Sequence, residues 1–218
     1  MNRLLPLCLL CTLPVSAATI RGRVTILDRS GDAVDPSGAV VWLEGAPGNS
    51  AAPGKFEIAM RGKQFRPQVL AVPVGATVRF PNADSILHNV FSASGANRFD
   101  LGLYGQGAGR DVVLREAGVV RIYCNVHPGM AAFVVVCPSA HFASVAADGA
   151  FRIDGAPAGS YAVTVWDERG GTRSLPVEAR GEETVEVAFS LDARSYRRQP
   201  HLDKNGKPYA ARDEKDPY

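Results

Sequence analysis

Apolar positions along this chain recur in short alternating runs, not in helical stripes. Segments rich in Val, Ile, Phe and Thr, at 20–27, 40–43, 69–72, 77–80, 112–114, 119–123, 133–136, 161–166 and 184–189, are separated by clusters of Gly, Pro, Asn and Asp. Alternation sends successive side chains to opposite faces of a sheet. No window of a dozen residues free of Gly and Pro shows a 3.6-residue period, so the pattern predicts an all-β protein built of sandwiches.

The first seventeen residues stand apart. Arg3, an apolar run from Leu4 to Leu13 and the small-residue site Val15-Ser16-Ala17 read as a cleaved secretory signal, 1–17. The run is about half of the roughly twenty residues a spanning helix needs, which leaves an uncleaved anchor as the alternative. Cleavage predicts a periplasmic or envelope location with no membrane insertion of the mature chain. It also removes one basic residue from a formal charge of +2, and a chain so near neutrality has no electrostatic claim on nucleic acid.

Two stretches far apart look like parts of one unit. "IRGRVTILDRSGDAVDPSGAVVWLEG" (20–45) has a Gly/Asp turn between strands, and "ASVAADGAFRIDGAPAGSYAVTVWDERG" (143–170) has an Asp-Gly hairpin turn and then a P-x-G turn. Together they resemble the carboxypeptidase regulatory-like (transthyretin-type) β-sandwich, which implies a module without chemistry of its own. On that reading the chain divides into a discontinuous sandwich of 18–54 plus 139–192, an inserted domain at 55–138 and a polar C-terminal tail at 193–218. The plainer alternative is an N-terminal extension followed by sequential domains. The tail is rich in charge and is expected to have no core of its own. Its Arg194, Arg197 and Arg198 read either as a docking patch or as a solvated charge run. The glycine-rich 102–109, without strand-to-helix context, reads as a flexible connection and not a phosphate cradle.

The middle segment carries the chemistry. Cys124, His127 and Met130 sit three residues apart in "YCNVHPGM", directly after an apolar run, and His88 lies upstream beyond a Pro-Asn turn. A thiolate, two imidazoles and a thioether are the donors of a trigonal copper centre with a weak axial ligand. Structural zinc sites use Cys and His without a thioether. Catalytic Cys-His chemistry would want a separate orienting group that this spacing does not supply. A disulfide from Cys124 to Cys137 is disfavoured, because a strand over 131–136 would carry the chain roughly 20 Å, against the roughly 4.4–6.8 Å that a disulfide spans between α-carbons. His141 and His201 have no cooperating donors nearby in sequence and receive no role.

Residues 65–136 resemble the cupredoxins, the small blue copper proteins, and the short C-x2-H-x2-M loop is most similar to that of the amicyanins; plastocyanin-type loops place more residues before the Met. The resemblance implies one type 1 copper ion held by His88, Cys124, His127 and Met130. It makes Asn89 the residue that bonds the cysteine sulfur and ties the ligand loops, where the residue pattern alone allows a simple turn. It further implies that His127 presents its edge through an apolar docking patch, here rimmed by Pro128, Gly129, Ala131 and Ala132. The expected function is one-electron transfer to a redox partner protein, not enzyme catalysis. Copper storage or delivery, or a scaffold with a vestigial site, are the alternatives. Some proteins of this mixed build are called methylamine-utilisation-like, but no residue here demonstrates a link to amine oxidation.

Overall fold

The computed structural model describes residues 17–46 and 53–209. The expected signal, apart from Ala17, the middle of the joint at 46–54 and the last nine residues of the tail lie outside the described residues. The all-β expectation holds: the described residues contain no α-helix, only a 3-10 turn at Gly95–Asn97 among strands. Among the described residues no helix is long and apolar enough to cross a membrane.

Four sheets form two packed pairs. In the first pair, Ala17–Leu27 is the central strand of its sheet, parallel to Thr184–Asp192 and antiparallel to Ala150–Pro157. Facing it, the order is Phe142–Ser144, Val40–Glu44, Gly159–Asp167, Gly171–Ala179. The inward residues of both sheets, among them Ile20, Val24, Ile26, Val41, Leu43, Val163, Val165 and Phe189, make one apolar core. The Asp148-Gly149 turn between strands needs its glycine twice over. Gly149 has φ +87°, and a Cβ there would lie 2.6 Å from the Val24 carbonyl oxygen.

The second pair is made wholly from residues 55–137. One sheet runs Phe99–Tyr104, His88–Ser92, Gly118–Tyr123, Ala131–Cys137, Val69–Pro73. The other runs Gly107–Val113, Thr77–Asn82, Ala59–Met60, Phe65–Arg66, with Lys55–Glu57 beside Thr77–Asn82. Sequence reasoning missed several of these strands, and one miss is a correction. The glycine-rich 102–109 is not a flexible connection but the crossing from one sheet to the other, with Phe99–Tyr104 and Gly107–Val113 on either side. Its glycines sit at irregularities in the ladders, between Asp100 and Leu103 and between Gly107 and Arg110. Gly109, at φ +79°, passes so close to Phe80 that a Cβ would clash with its carbonyl. The glycines serve bulges, which demand positive φ and close approach.

Strand Ala131–Cys137 joins the two pairs. Its unbroken apolar run is explained by burial on both faces. Ala132, Val134 and Val136 enter the core of the second pair, whereas Phe133, Val135 and Cys137 enter a seam with Val40 and Trp166 of the first. Phe133 and Trp166 meet at a 5.3 Å ring separation. Burying a side chain of this kind contributes roughly 1.5–3 kcal/mol. Cys137 is therefore a small apolar group, and burial pushes its thiol up to about 12. Neither Cys124 nor Cys137 is in a disulfide.

Candidate metal centre

His88 opens a strand of which every residue is buried, His88–Ser92. The turn that delivers it is shaped by Asn82, whose Nδ2 donates to the carbonyls of Ile86 and Tyr104 while its Oδ1 accepts from the Asp84 amide. The second half of the centre is the hairpin loop between Gly118–Tyr123 and Ala131–Cys137. The Met130 amide donates to the His127 carbonyl at 3.0 Å, and the Cys124 amide reaches the Met130 carbonyl at 3.4 Å. These bonds fold the loop back on itself, so that residues three apart face one point.

Three donors meet there. His88 Nδ1 and His127 Nδ1 are 3.0 Å apart, and Cys124 Sγ lies 3.9 Å from the first and 3.7 Å from the second. The centre of that acute triangle is about 2.1 Å from every corner, close to the roughly 2.0–2.3 Å of metal bonds to imidazole nitrogen and thiolate sulfur. No other group of three or more such donors occurs among the described residues. His88 and Cys124 are fully buried and His127 is 4% exposed. Met130, also buried, belongs to the same core cluster as Cys124. A soft thiolate with two imidazoles and a thioether suits copper, so the residues present fit that ion.

The surroundings are arranged for a thiolate. Burial pushes the Cys124 thiol up, but hydrogen bonds from His88 and from the backbone amides of Asn89, Val126 and His127 outweigh it and hold the thiol below its ordinary value. Burial disfavours a charged His88, yet Cys124 and Asp84 beside it raise its proton affinity above the usual imidazole value. Asp84 was missed in the sequence. Its Oδ2 stands 2.9 Å from His88 Nε2 and also accepts from the Lys63 amide, while its Oδ1 accepts from the Gly62 amide. A carboxylate on the far nitrogen fixes the tautomer and ring plane of a ligating histidine. The signal available was "DSILH", an acid four residues before the histidine.

Asn89 links the two halves: its Oδ1 accepts from the Asn125 amide at 3.3 Å, and its Nδ2 donates to Asp100 at 2.7 Å. The rim residues divide. Gly129 is exposed and Pro128 and Ala131 are half-buried. Ala132 is wholly buried in the core and forms no rim. The near-complete burial of His127 likewise corrects the expectation of an exposed imidazole edge.

The C-terminal segment lies against this same loop. The Tyr209 hydroxyl donates to the Cys124 carbonyl at 3.0 Å, the Lys204 amide donates to Asn125 Oδ1, and Lys204 Nζ pairs with Asp100. Arg198 donates to the Gly129 carbonyl. His201, which sequence reasoning left without a role, stacks on Tyr123 with ring centroids 4.0 Å apart and planes 16° from parallel. A charged tail with few apolar groups gives no local sign that it folds back onto residues about 80 positions earlier.

No protein-family model matches the chain, and none of the curated proteins does. Solved structures resemble parts of it. A purple cupredoxin from Nitrosopumilus maritimus is 28% identical, with 37% of this chain and 98% of that one covered and a TM-score of 0.34. A Cu(I) form of an amicyanin mutant is 20% identical over 40% of this chain and 96% of its own, at a TM-score of 0.36. A copper-containing nitrite reductase from Thermus scotoductus is 27% identical over 42% of this chain and 24% of its own, also at 0.36.

Proposed function

We propose that this protein is a one-electron carrier of the periplasm or cell envelope, holding one type 1 (blue) copper ion. The observation that carries the reading is the triangle of His88 Nδ1, His127 Nδ1 and Cys124 Sγ, already at bonding distance from a common centre and buried. Copper supplies the reversible Cu(II)/Cu(I) couple. Cys124, His88 and His127 would hold the ion, the thiolate as the soft donor suited to both oxidation states, and Met130 would add a weak thioether donor that tunes the potential. Asp84 and Asn89 hold His88 and the loop in place, so little has to move when the charge changes. The burial of these donors suits a carrier more than an enzyme with an open metal position. An envelope location accords with the signal-like start and with a lone reactive thiol that a metal would protect.

The test is the visible absorption and electron paramagnetic resonance spectrum of the Cu(II)-loaded protein beside Cys124→Ser. An intense thiolate-to-copper band with narrow hyperfine splitting, both lost in the variant, is expected. A colourless protein, or a tetragonal signal indifferent to the substitution, overturns the reading. Retention of the ion through repeated reduction against a competing chelator separates a carrier from a delivery module.

A further inference from the structure

The aromatic stack at the C-terminal segment contributes no atom to the group of His88, Cys124 and His127. Tyr123 is joined to Cys124 by one peptide bond and carries the His201 imidazole flat against its ring. The Tyr209 hydroxyl is within hydrogen-bond distance of both the Cys124 carbonyl and His201 Nδ1, at 3.0 and 3.3 Å. The three rings are thus tied by covalent bonds, hydrogen bonds and stacking to the thiolate-bearing residue. Tyr123 and His201 are half-buried, whereas His127 is nearly enclosed.

Those two rings also line a surface cleft of about 390 Å³, together with Arg121, Arg197 and Arg198. All three arginines are exposed. None makes a salt bridge with a described carboxylate, although Glu168 lies in the same cleft and accepts from the Tyr196 hydroxyl. Arg194, three residues earlier, is by contrast neutralised by Asp192. Arg198 and Arg197 spend hydrogen bonds on the carbonyls of Gly129 and Tyr196, which positions the guanidinium groups and leaves three positive charges in the cleft against the one carboxylate of Glu168.

We propose that this cleft is the electron-exchange face: an acidic patch of the partner protein docks on Arg121, Arg197 and Arg198, and the electron passes between the metal centre and the partner through Tyr123 and His201. The inference rests on the one-electron carrier reading. With copper bound, the outward step would carry one electron from the reduced centre to the partner, which would be reduced by one electron. No bond is made or broken and no proton is required.

The test uses the full chain, loaded with copper and reduced, with ferricyanide as a trianionic one-electron oxidant and tris(phenanthroline)cobalt(III) as its cationic counterpart. The blue band of each oxidised variant is recorded first. Reversing the three charges with Arg121→Glu, Arg197→Glu and Arg198→Glu together should slow ferricyanide about tenfold at low ionic strength, without slowing the cationic oxidant, and the gap should close in high salt. Lysine at the same three positions should keep the native rate. His201→Ala should slow both oxidants while leaving the band unchanged. Native rates in the charge-reversed and His201→Ala proteins, with the band intact, overturn the proposal. Absence of the band from the unmodified protein would overturn the copper reading, and this inference with it.

Discussion

The two pairs of sheets are made from the same kinds of residue, and they put them to different use. The core cluster of the first pair is hydrocarbon apart from the Tyr161 hydroxyl, which bonds the Pro157 carbonyl. The polar groups buried beside it, Ser139, Thr164 and Asp167, are bonded and belong to no donor cluster among the described residues. The core formed by residues 55–137 is equally apolar through most of its depth, with Phe80, Val78, Val120 and Ile122 fully or almost fully buried. At one end, however, His88, Asn89, Cys124 and His127 take buried positions. Burying such groups is costly unless they are bonded. Here Asp84, Asn125 and backbone amides bond them, at the end where strands give way to loops that supply polar atoms. A group of donors that could hold a metal is thus accommodated where a sandwich core meets its loops.

Substitutions should separate the two regions. The largest effect is expected from Leu43→Ala, in the core of the first pair. Leaving a cavity at a fully buried leucine costs about 2–5 kcal/mol, read by chemical denaturation, and the copper spectrum of the folded protein should not change. A shifted spectrum would show that the two regions are coupled through the Phe133–Trp166 seam.

Asp84→Asn should do the reverse. Removing the carboxylate that orients His88 is expected to weaken copper binding about 10- to 100-fold, measured by competition with a chelator, while the first pair of sheets is undisturbed. Unchanged affinity would make Asp84 a loop-shaping residue only.

A smaller effect is expected of Tyr209→Phe. Losing the hydrogen bond to the Cys124 carbonyl, and with it the longer contact to His201 Nδ1, costs at least about 0.5–1.5 kcal/mol, which corresponds to at least a roughly 2- to 12-fold rise in protease cleavage within 194–209 where opening is fast. Cleavage at the native rate would show that the segment is held by its other contacts.

The smallest effect is one of pH. Burial raises the Asp100 carboxyl, but the Lys204 ammonium, the Gly102 amide and Asn89 outweigh it and hold it below its ordinary value. A depressed carboxyl contributes stability that is present above the ordinary value, about 3.9, and is lost as pH falls through the folded value. Burial also holds the His201 imidazole of the same segment below its ordinary value of about 6.5, so cleavage should rise in two steps as pH falls, first below about pH 6.5 and again below about pH 4, measured with an acid-active protease. Asp100→Asn should remove the lower step and leave the upper one; a lower step that persists would show that another carboxylate carries it.

The all-β class was legible in the alternation of Val, Ile and Thr with polar residues, because a period of two is a local property of the chain. So was the donor set, since Cys124, His127 and Met130 share one short loop. His88 was legible only through its chemistry and its place in the order of motifs. The first part of strand Gly107–Val113 was hidden because its glycines serve bulges, and only 112–113 showed as apolar. The whole segment Ala131–Cys137 is an unbroken apolar run, and only its two partners, the inner core and the seam, say which side chain goes where.

The sequence by itself determined what each piece could be: short strands, tight turns, four soft or borderline metal donors. Only the tertiary structure decided what each piece meets. It set Asp84 on the far nitrogen of His88, closed His127 from solvent and laid His201 on Tyr123. The physical reason is range. Propensity and alternation act between near neighbours, whereas the Tyr209 hydroxyl reaches a carbonyl 85 residues back, and nothing local marks that partner.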